Sequence, residues 1–196
     1  MYQNRYHQHS YSLEYTHQNA LFYTYSIIPY QKRIDADHFR VTDYISFNNG
    51  TNLWLGAEYD SYSNGDNEVT GDFNWMFYKD QAFFKNFTYT LNIEGWYTTH
   101  SKQHSDFYSP SFADSTLFRI DPQYIFSKYI GVRGQLGIGY SIIDQNIPYK
   151  MGLWFFGEPM KNMDYEFGCL SSNAARIAAG GNYNYRECTA HLGYTW

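Results

Sequence analysis

What this chain lacks narrows its class before any motif is read. It has no apolar run near the ~18 residues of a membrane-spanning helix, and its mean hydropathy is −0.59, which excludes helical spanning. Lysine and arginine number 14 against 19 aspartates and glutamates, a formal net charge of −5. Without a basic surface a nucleic-acid partner is excluded as well. Only two cysteines are present, Cys169 and Cys188. They are too few for a disulfide framework and fall in no metal-ligand spacing, so they either bridge in an oxidising compartment or stay as two half-buried thiols. The opening residues, MYQNRYHQHS, lack the basic and then apolar order of a secretory signal.

Aromatic residues are abundant instead. Tyrosine (22), phenylalanine (15) and tryptophan (5) make up 21% of the 196 residues, far above ordinary soluble usage. Tyr and Trp combine an apolar body with a polar tip, which suits a protein ringed by two membrane interfaces. A tyrosine-rich soluble β-domain or carbohydrate-binding module is the other composition of this kind.

The alternation of the chain says how the aromatics are used. In residues 129–143, YIGVRGQLGIGYSII, the even positions Ile130, Val132, Leu136, Ile138, Tyr140 and Ile142 are apolar, whereas Gly131, Arg133, Gln135, Gly137, Gly139 and Ser141 are small or polar. A period of two is a strand with two unlike faces, and an apolar stripe behind a wet one is what a membrane β-barrel strand requires. The same pattern recurs at Tyr11, Leu13 and Tyr15, at Leu21 to Ile27, at Phe39 to Phe47, and at Leu53 to Tyr59. It continues from Val69 to Phe77, Phe87 to Tyr97, Phe118 to Phe126, Met151 to Phe155 and Met163 to Phe167. It is weaker at 176–185 and clear again at 188–196. Asn49-Gly50 supplies the positive φ values of a tight hairpin. The chain therefore reads as a single domain, 1–196, all-β, an antiparallel transmembrane β-barrel of about 11–12 strands, either whole or the C-terminal portion of a longer protein.

Two segments resemble known elements. The last strand ends Leu192-Gly193-Tyr194-Thr195-Trp196, similar to the terminal signal that delivers bacterial outer-membrane barrels to their insertion machinery, with Trp196 where Phe is usual. Residues 105–112, SDFYSPSF, resemble the Y-F/Y-S-P-x-x-F/Y element in the barrels of tetratricopeptide-containing exopolysaccharide export porins of the cellulose and poly-N-acetylglucosamine type. The resemblance covers roughly residues 105–196. It implies an outer-membrane location, with lipid, the insertion machinery, a polysaccharide and periplasmic export components as partners. The chain departs from that family in having no helical repeats ahead of the barrel and fewer strands than its barrels of about 16.

If the apolar positions face lipid, the pore lining receives Trp54, Glu58, Asp72, Asn92, Glu94, Trp96, Arg119, Asp121, Gln123, Arg133, Gln135, Trp154 and Arg176. Mixed charges would wet a pore or pair across strands to hold the wall, and aromatic faces would stack on sugar rings. No catalytic constellation is expected. His7 and His9 lack a third ligand, no serine sits in a nucleophile elbow, and His191 on the inward face of the last strand is the one histidine to watch. Residues 60–68, DSYSNGDNE, place Gly65 as a calcium loop would, but Tyr62 stands where an oxygen ligand belongs, so they read as a turn. The expected function is a porin conducting or exporting a polysaccharide, with no metal or cofactor. The alternatives are a small structural or adhesive barrel with a plugged interior and a soluble aromatic-rich β-protein.

Overall fold

The structure, a computed structural model, describes residues 8–19, 33–81, 84–103, 112–127, 129–143, 145–174 and 185–194. These form ten strands: β1 (Gln8–Asn19), β2 (Asp35–Ser46), β3 (Asn52–Tyr62), β4 (Asn67–Gln81), β5 (Phe87–His100), β6 (Ala113–Ser127), β7 (Ile130–Tyr140), β8 (Tyr149–Met160), β9 (Met163–Ser172) and β10 (Tyr185–Tyr194). Each pairs antiparallel with the next, in chain order, within one sheet, and the described residues contain no helix. Ten of the 11–12 expected strands are therefore present among the described residues. The expected strands at 21–27 and 176–185 lie outside the described residues except for Tyr185, which opens β10. Neither segment separates neighbours in the sheet, because β1 pairs directly with β2 and β9 with β10.

Turn chemistry pins the register. Gly50 takes φ +80°, closing the β2–β3 hairpin through Gly50 N–H to Phe47 O and Phe47 N–H to Thr51 O. Asn49 contributes differently from expectation: it is not in the left-handed region, and its side-chain oxygen accepts from the Thr51 backbone N–H at 3.1 Å. The same device recurs at Asn64-Gly65 between β3 and β4, with Gly65 at φ +79° and Asn64 accepting from Asp66 N–H. The stretch with a passing likeness to a calcium loop is therefore a turn.

The connections are unequal at the two ends of the sheet. At the end where β1 starts and β10 stops they span 47–51, 82–86, 128–129 and 161–162. At the other end they span 20–34, 63–66, 101–112, 141–148 and 173–184.

The sheet is strongly curled. Strands lie ~4.8 Å apart, so β5 and the end of β9 would be ~19 Å apart in a flat sheet, beyond the reach of an indole. Yet Trp96 Nε1 donates to Ala174 O at 2.7 Å, and residues from β3, β5, β8 and β9 line one cavity. The two faces are inverted relative to a water-soluble sheet. The concave face buries Glu58, Asp60, Glu68, Thr70, Asn92, Thr98, His100, Ser115 and Arg119, while the convex face exposes Leu13, Val41, Leu55, Trp75, Phe118, Leu136, Ile138, Leu153, Phe167 and Leu192. Among the described residues no pairing joins β1 to β10, so the closed barrel expected from the sequence is here an open, curled sheet. Closure needs those edges to meet at one strand spacing in a matching stagger, and the ladder ends at each of them.

Candidate functional site

The concave face is the place to look for chemistry, because antiparallel pairing puts directly opposed residues on the same side and so gathers polar groups from many strands. Near mid-sheet, Asn92 (β5) pairs with Arg119 (β6), which pairs with Gly137 (β7), which pairs with Lys150 (β8). The position a Cβ would take at Gly137 is already bordered by the side chains of Leu117, Arg119 and Lys150. Arg119 donates to Glu94 and, at 2.9 Å, to Asp121, and Lys150 Nζ reaches the other oxygen of Glu94 at 2.9 Å. Asn92 Nδ2 also donates to Asp121 at 3.0 Å. Two carboxylates and two cations from three strands thus tie the wall together, with the Arg119 side chain only 8% exposed. Charges this far from water matter because each one removed strands a partner.

Indoles flank the web. Trp54 lies under the Arg40 guanidinium, 5.3 Å from ring centroid to Cζ, and Trp154 under Arg133 at 5.2 Å. Trp154 lies over Gly152 and Gly168, where an added Cβ would collide with its ring, so the two glycines let an indole lie flat on the wall. Trp54 and Trp96 share a cavity of about 380 Å³ with Thr70, Asp72, Asn74, Glu94 and Lys150.

A second constellation sits toward the end of the sheet with the longer connections. His38, Asp60, Glu68 and His100 are successive register partners on β2, β3, β4 and β5, forming one buried row. His38 Nδ1 lies 2.6 Å from Asp60 Oδ1. Glu68 accepts from Tyr62 OH at 2.6 Å and from Thr98 Oγ1 at 2.8 Å. His100 Nδ1 meets Asp66 Oδ2 at 3.0 Å. One residue-pair along, Arg40 is bonded to Glu58. At Asp66 burial pushes the carboxyl up, but hydrogen bonds from His100, Ser101 and the Lys102 backbone outweigh it, so the group sits below its ordinary value.

The expected lining residues are distributed as follows. Trp54, Glu58, Glu94, Trp96, Arg119 and Asp121 come together on the concave face through the contacts above. Gln123 is the register partner of Arg133, whose guanidinium donates to Glu166 at 3.0 Å, and Gln135 pairs with Gly152. Arg176 and Trp196 lie outside the described residues, as does the SDFYSPSF segment except for Phe112. Leu192, Gly193 and Tyr194 belong to β10, where Leu192 and Tyr194 are exposed on the convex side and the Asp164 carboxylate leans over Gly193. His191 Nε2 lies 3.3 Å from Asp164 Oδ2. Cys169 and Cys188 are opposed across β9–β10 and form a disulfide.

Sequence reasoning missed the row of His38, Asp60, Glu68 and His100 and the role of Lys150. The signal for the row was present: His38 and Asp60 are equidistant from Asn49, so a register fixed by that turn pairs them. No protein-family model, curated protein or solved structure matches this chain.

Proposed function

We propose that this chain forms the wall of a small transmembrane β-barrel of the bacterial outer-membrane type, embedded by its convex face and latched across its concave one. The observation that carries the reading is the inversion of the two faces: carboxylates, hydroxyls and a guanidinium are buried while leucine, isoleucine and aromatic side chains stand exposed. In water a continuous apolar surface of that extent is a liability, whereas lipid removes the cost and asks only that the strands keep a polar interior. Strands of 10 to 15 residues match or exceed the ~9–11 tilted residues needed to cross the hydrocarbon. The concentration of longer connections at the end away from the start of β1 matches the usual division into short periplasmic turns and longer outer loops. Leu192, Gly193 and Tyr194 would be read by the insertion machinery. Refolding into lipid vesicles, followed by heat-shifted electrophoretic mobility, tests this: a folded protein that stays in detergent-free water refutes it.

Between an open polysaccharide conduit and a filled barrel, the tie from Arg119 and Lys150 to Glu94 favours the filled interior, since it spans the trough from β5 to β8. Low planar-bilayer conductance of the folded protein is the expected result, and a steady open channel refutes the latch. The cavity shared by Trp54 and Trp96 favours a second reading, in which a saccharide stacks on these indoles during transport. Quenching of tryptophan fluorescence by cello-oligosaccharides, lost in Trp54→Ala, is the measurement for that.

A further inference from the structure

We propose that His38, Glu58 and Asp60 form a binding site for a first-row divalent transition-metal ion, of which Zn²⁺ is the representative. One donor atom from each of the three lies within 4.8 Å of the others. A tetrahedral site with bonds of ~2.0–2.2 Å sets its donors about 3.4 Å apart, so modest side-chain rotation brings the set to coordinating distance. One imidazole nitrogen with two carboxylate oxygens is a borderline N/O set that suits Zn²⁺ or Mn²⁺ rather than a thiophilic ion, and three protein ligands leave a fourth position for water.

The surroundings are built for a cation. Glu58, Asp60, Asp66 and Glu68 are 8%, 0%, 0% and 3% exposed. Arg40 answers Glu58. Asp60 and Glu68 are opposed across β3–β4 and are flanked by the imidazoles of His38 and His100, which offset negative charge only when protonated. Two carboxylates opposed at this depth repel unless a positive charge stands near them, and a divalent ion supplies it without relying on protonation. His38 Nδ1 and Asp60 Oδ1 already meet at 2.6 Å, so an ion there displaces the hydrogen bond between them, with Nδ1 giving its lone pair to the ion and the neutral ring carrying its one proton on Nε2. The ligands are fixed on two strands of one tight hairpin whose register is continuous from Ala36↔Tyr62 to Ser46↔Asn52, the rigid mounting that a metal site needs. Glu68, held by Tyr62 and Thr98, keeps the neighbouring wall in place. None of this depends on the membrane reading, since it uses the concave side of β2 to β5 alone, whichever medium the convex face meets.

The test is titration of the folded, chelator-treated full chain with Zn²⁺ by calorimetry, with Co²⁺ absorption reporting coordination. One ion per chain is expected, with a four-coordinate Co²⁺ spectrum free of thiolate bands, and binding weakened at least 100-fold in both His38→Gln and Asp60→Asn. His9→Ala, which alters an exposed histidine on β1, should bind as wild type. A wild-type readout needs no variant to fold: Zn²⁺ should protect His38, but not His9, from diethylpyrocarbonate, read by mass spectrometry. Absence of stoichiometric Zn²⁺ binding, binding unchanged in His38→Gln, or His38 modified equally with and without Zn²⁺ overturns the proposal.

Discussion

Replacing Leu136 by arginine is the sharpest test of which medium the convex face meets. Leu136 is 51% exposed, next to Gln135 at the centre of β7, with Ile120 and Met151 as its apolar register partners. An arginine facing lipid near the midplane costs about 2–4 kcal/mol, falling to about 0–1 near the interface. With a rise of ~3.3 Å per residue and a tilt of ~40°, Ile138 lies ~8 Å from the centre along the membrane normal, so Ile138→Arg should cost about half as much. Gln135→Arg places its charge on the wet concave side, beside the face that carries Asp121, and should cost under about 0.5 kcal/mol. At 1.4 kcal/mol per decade the Leu136 change lowers the folded-to-unfolded ratio in vesicles about 30- to 700-fold. Urea titration of vesicle-inserted protein, followed by tryptophan fluorescence and heat-shifted mobility, measures all three variants. The expected order of cost is Leu136, Ile138, Gln135. Equal costs for Leu136→Arg and Gln135→Arg, or no cost for either, would refute the assignment of faces.

Other outcomes follow from the concave side and the sheet edge. Arg119→Met leaves Glu94 and Asp121 without their shared cation and should cost about 3–5 kcal/mol, whereas Arg133→Met, at a half-exposed pair with Glu166, should cost about 0–1 kcal/mol; urea midpoints of the two separate a buried web from a decorated surface. Reducing Cys169–Cys188, which are 19 residues apart, should lower stability by about 3 kcal/mol on chain-entropy grounds, read as a shift in the same midpoint with and without reductant. If the trough conducts ions, Asp121→Asn should move the reversal potential across a salt gradient toward anion selectivity, since it leaves Arg119 less neutralised; an unchanged potential would place Asp121 off the conducting path. Because the folded-state pKa of Asp66 lies below its ordinary 3.8, its tie to His100, Ser101 and Lys102 stabilises fully above that value and is lost as pH falls through the lower folded one. The protection of the Lys102 amide, which donates to Asp66 Oδ1, against hydrogen exchange should therefore fall only below about pH 4 in wild type, and already be reduced at neutral pH in Asp66→Asn.

The period of two, and with it the division of each strand into two faces, was legible in the residues alone. Ile130, Val132, Leu136, Ile138 and Tyr140 could be sorted from Arg133, Gln135 and the glycines without coordinates, because a pleated strand alternates its side chains whatever it packs against. Asp43 broke the apolar alternation of β2 in the sequence, and only the pairing with β1 accounts for it: His9 is brought to 3.0 Å on the same convex face. Asn49-Gly50 likewise marked a hairpin, yet the division of labour between the two residues emerged only in the folded turn. Strand order and the two edges left unjoined among the described residues were beyond local pattern, since alternation sorts the side chains of a strand without saying which strand lies beside it. The crowding of Arg119, Glu94 and Lys150 into one web was also decided by tertiary structure, because the sheet must curl before a lysine on β8 can reach a glutamate on β5. The row of His38, Asp60, Glu68 and His100 stands between these cases. Its pairing follows from turn positions one hairpin at a time, but its burial, and so the pressure for a compensating cation, exists only once four strands lie side by side and exclude water.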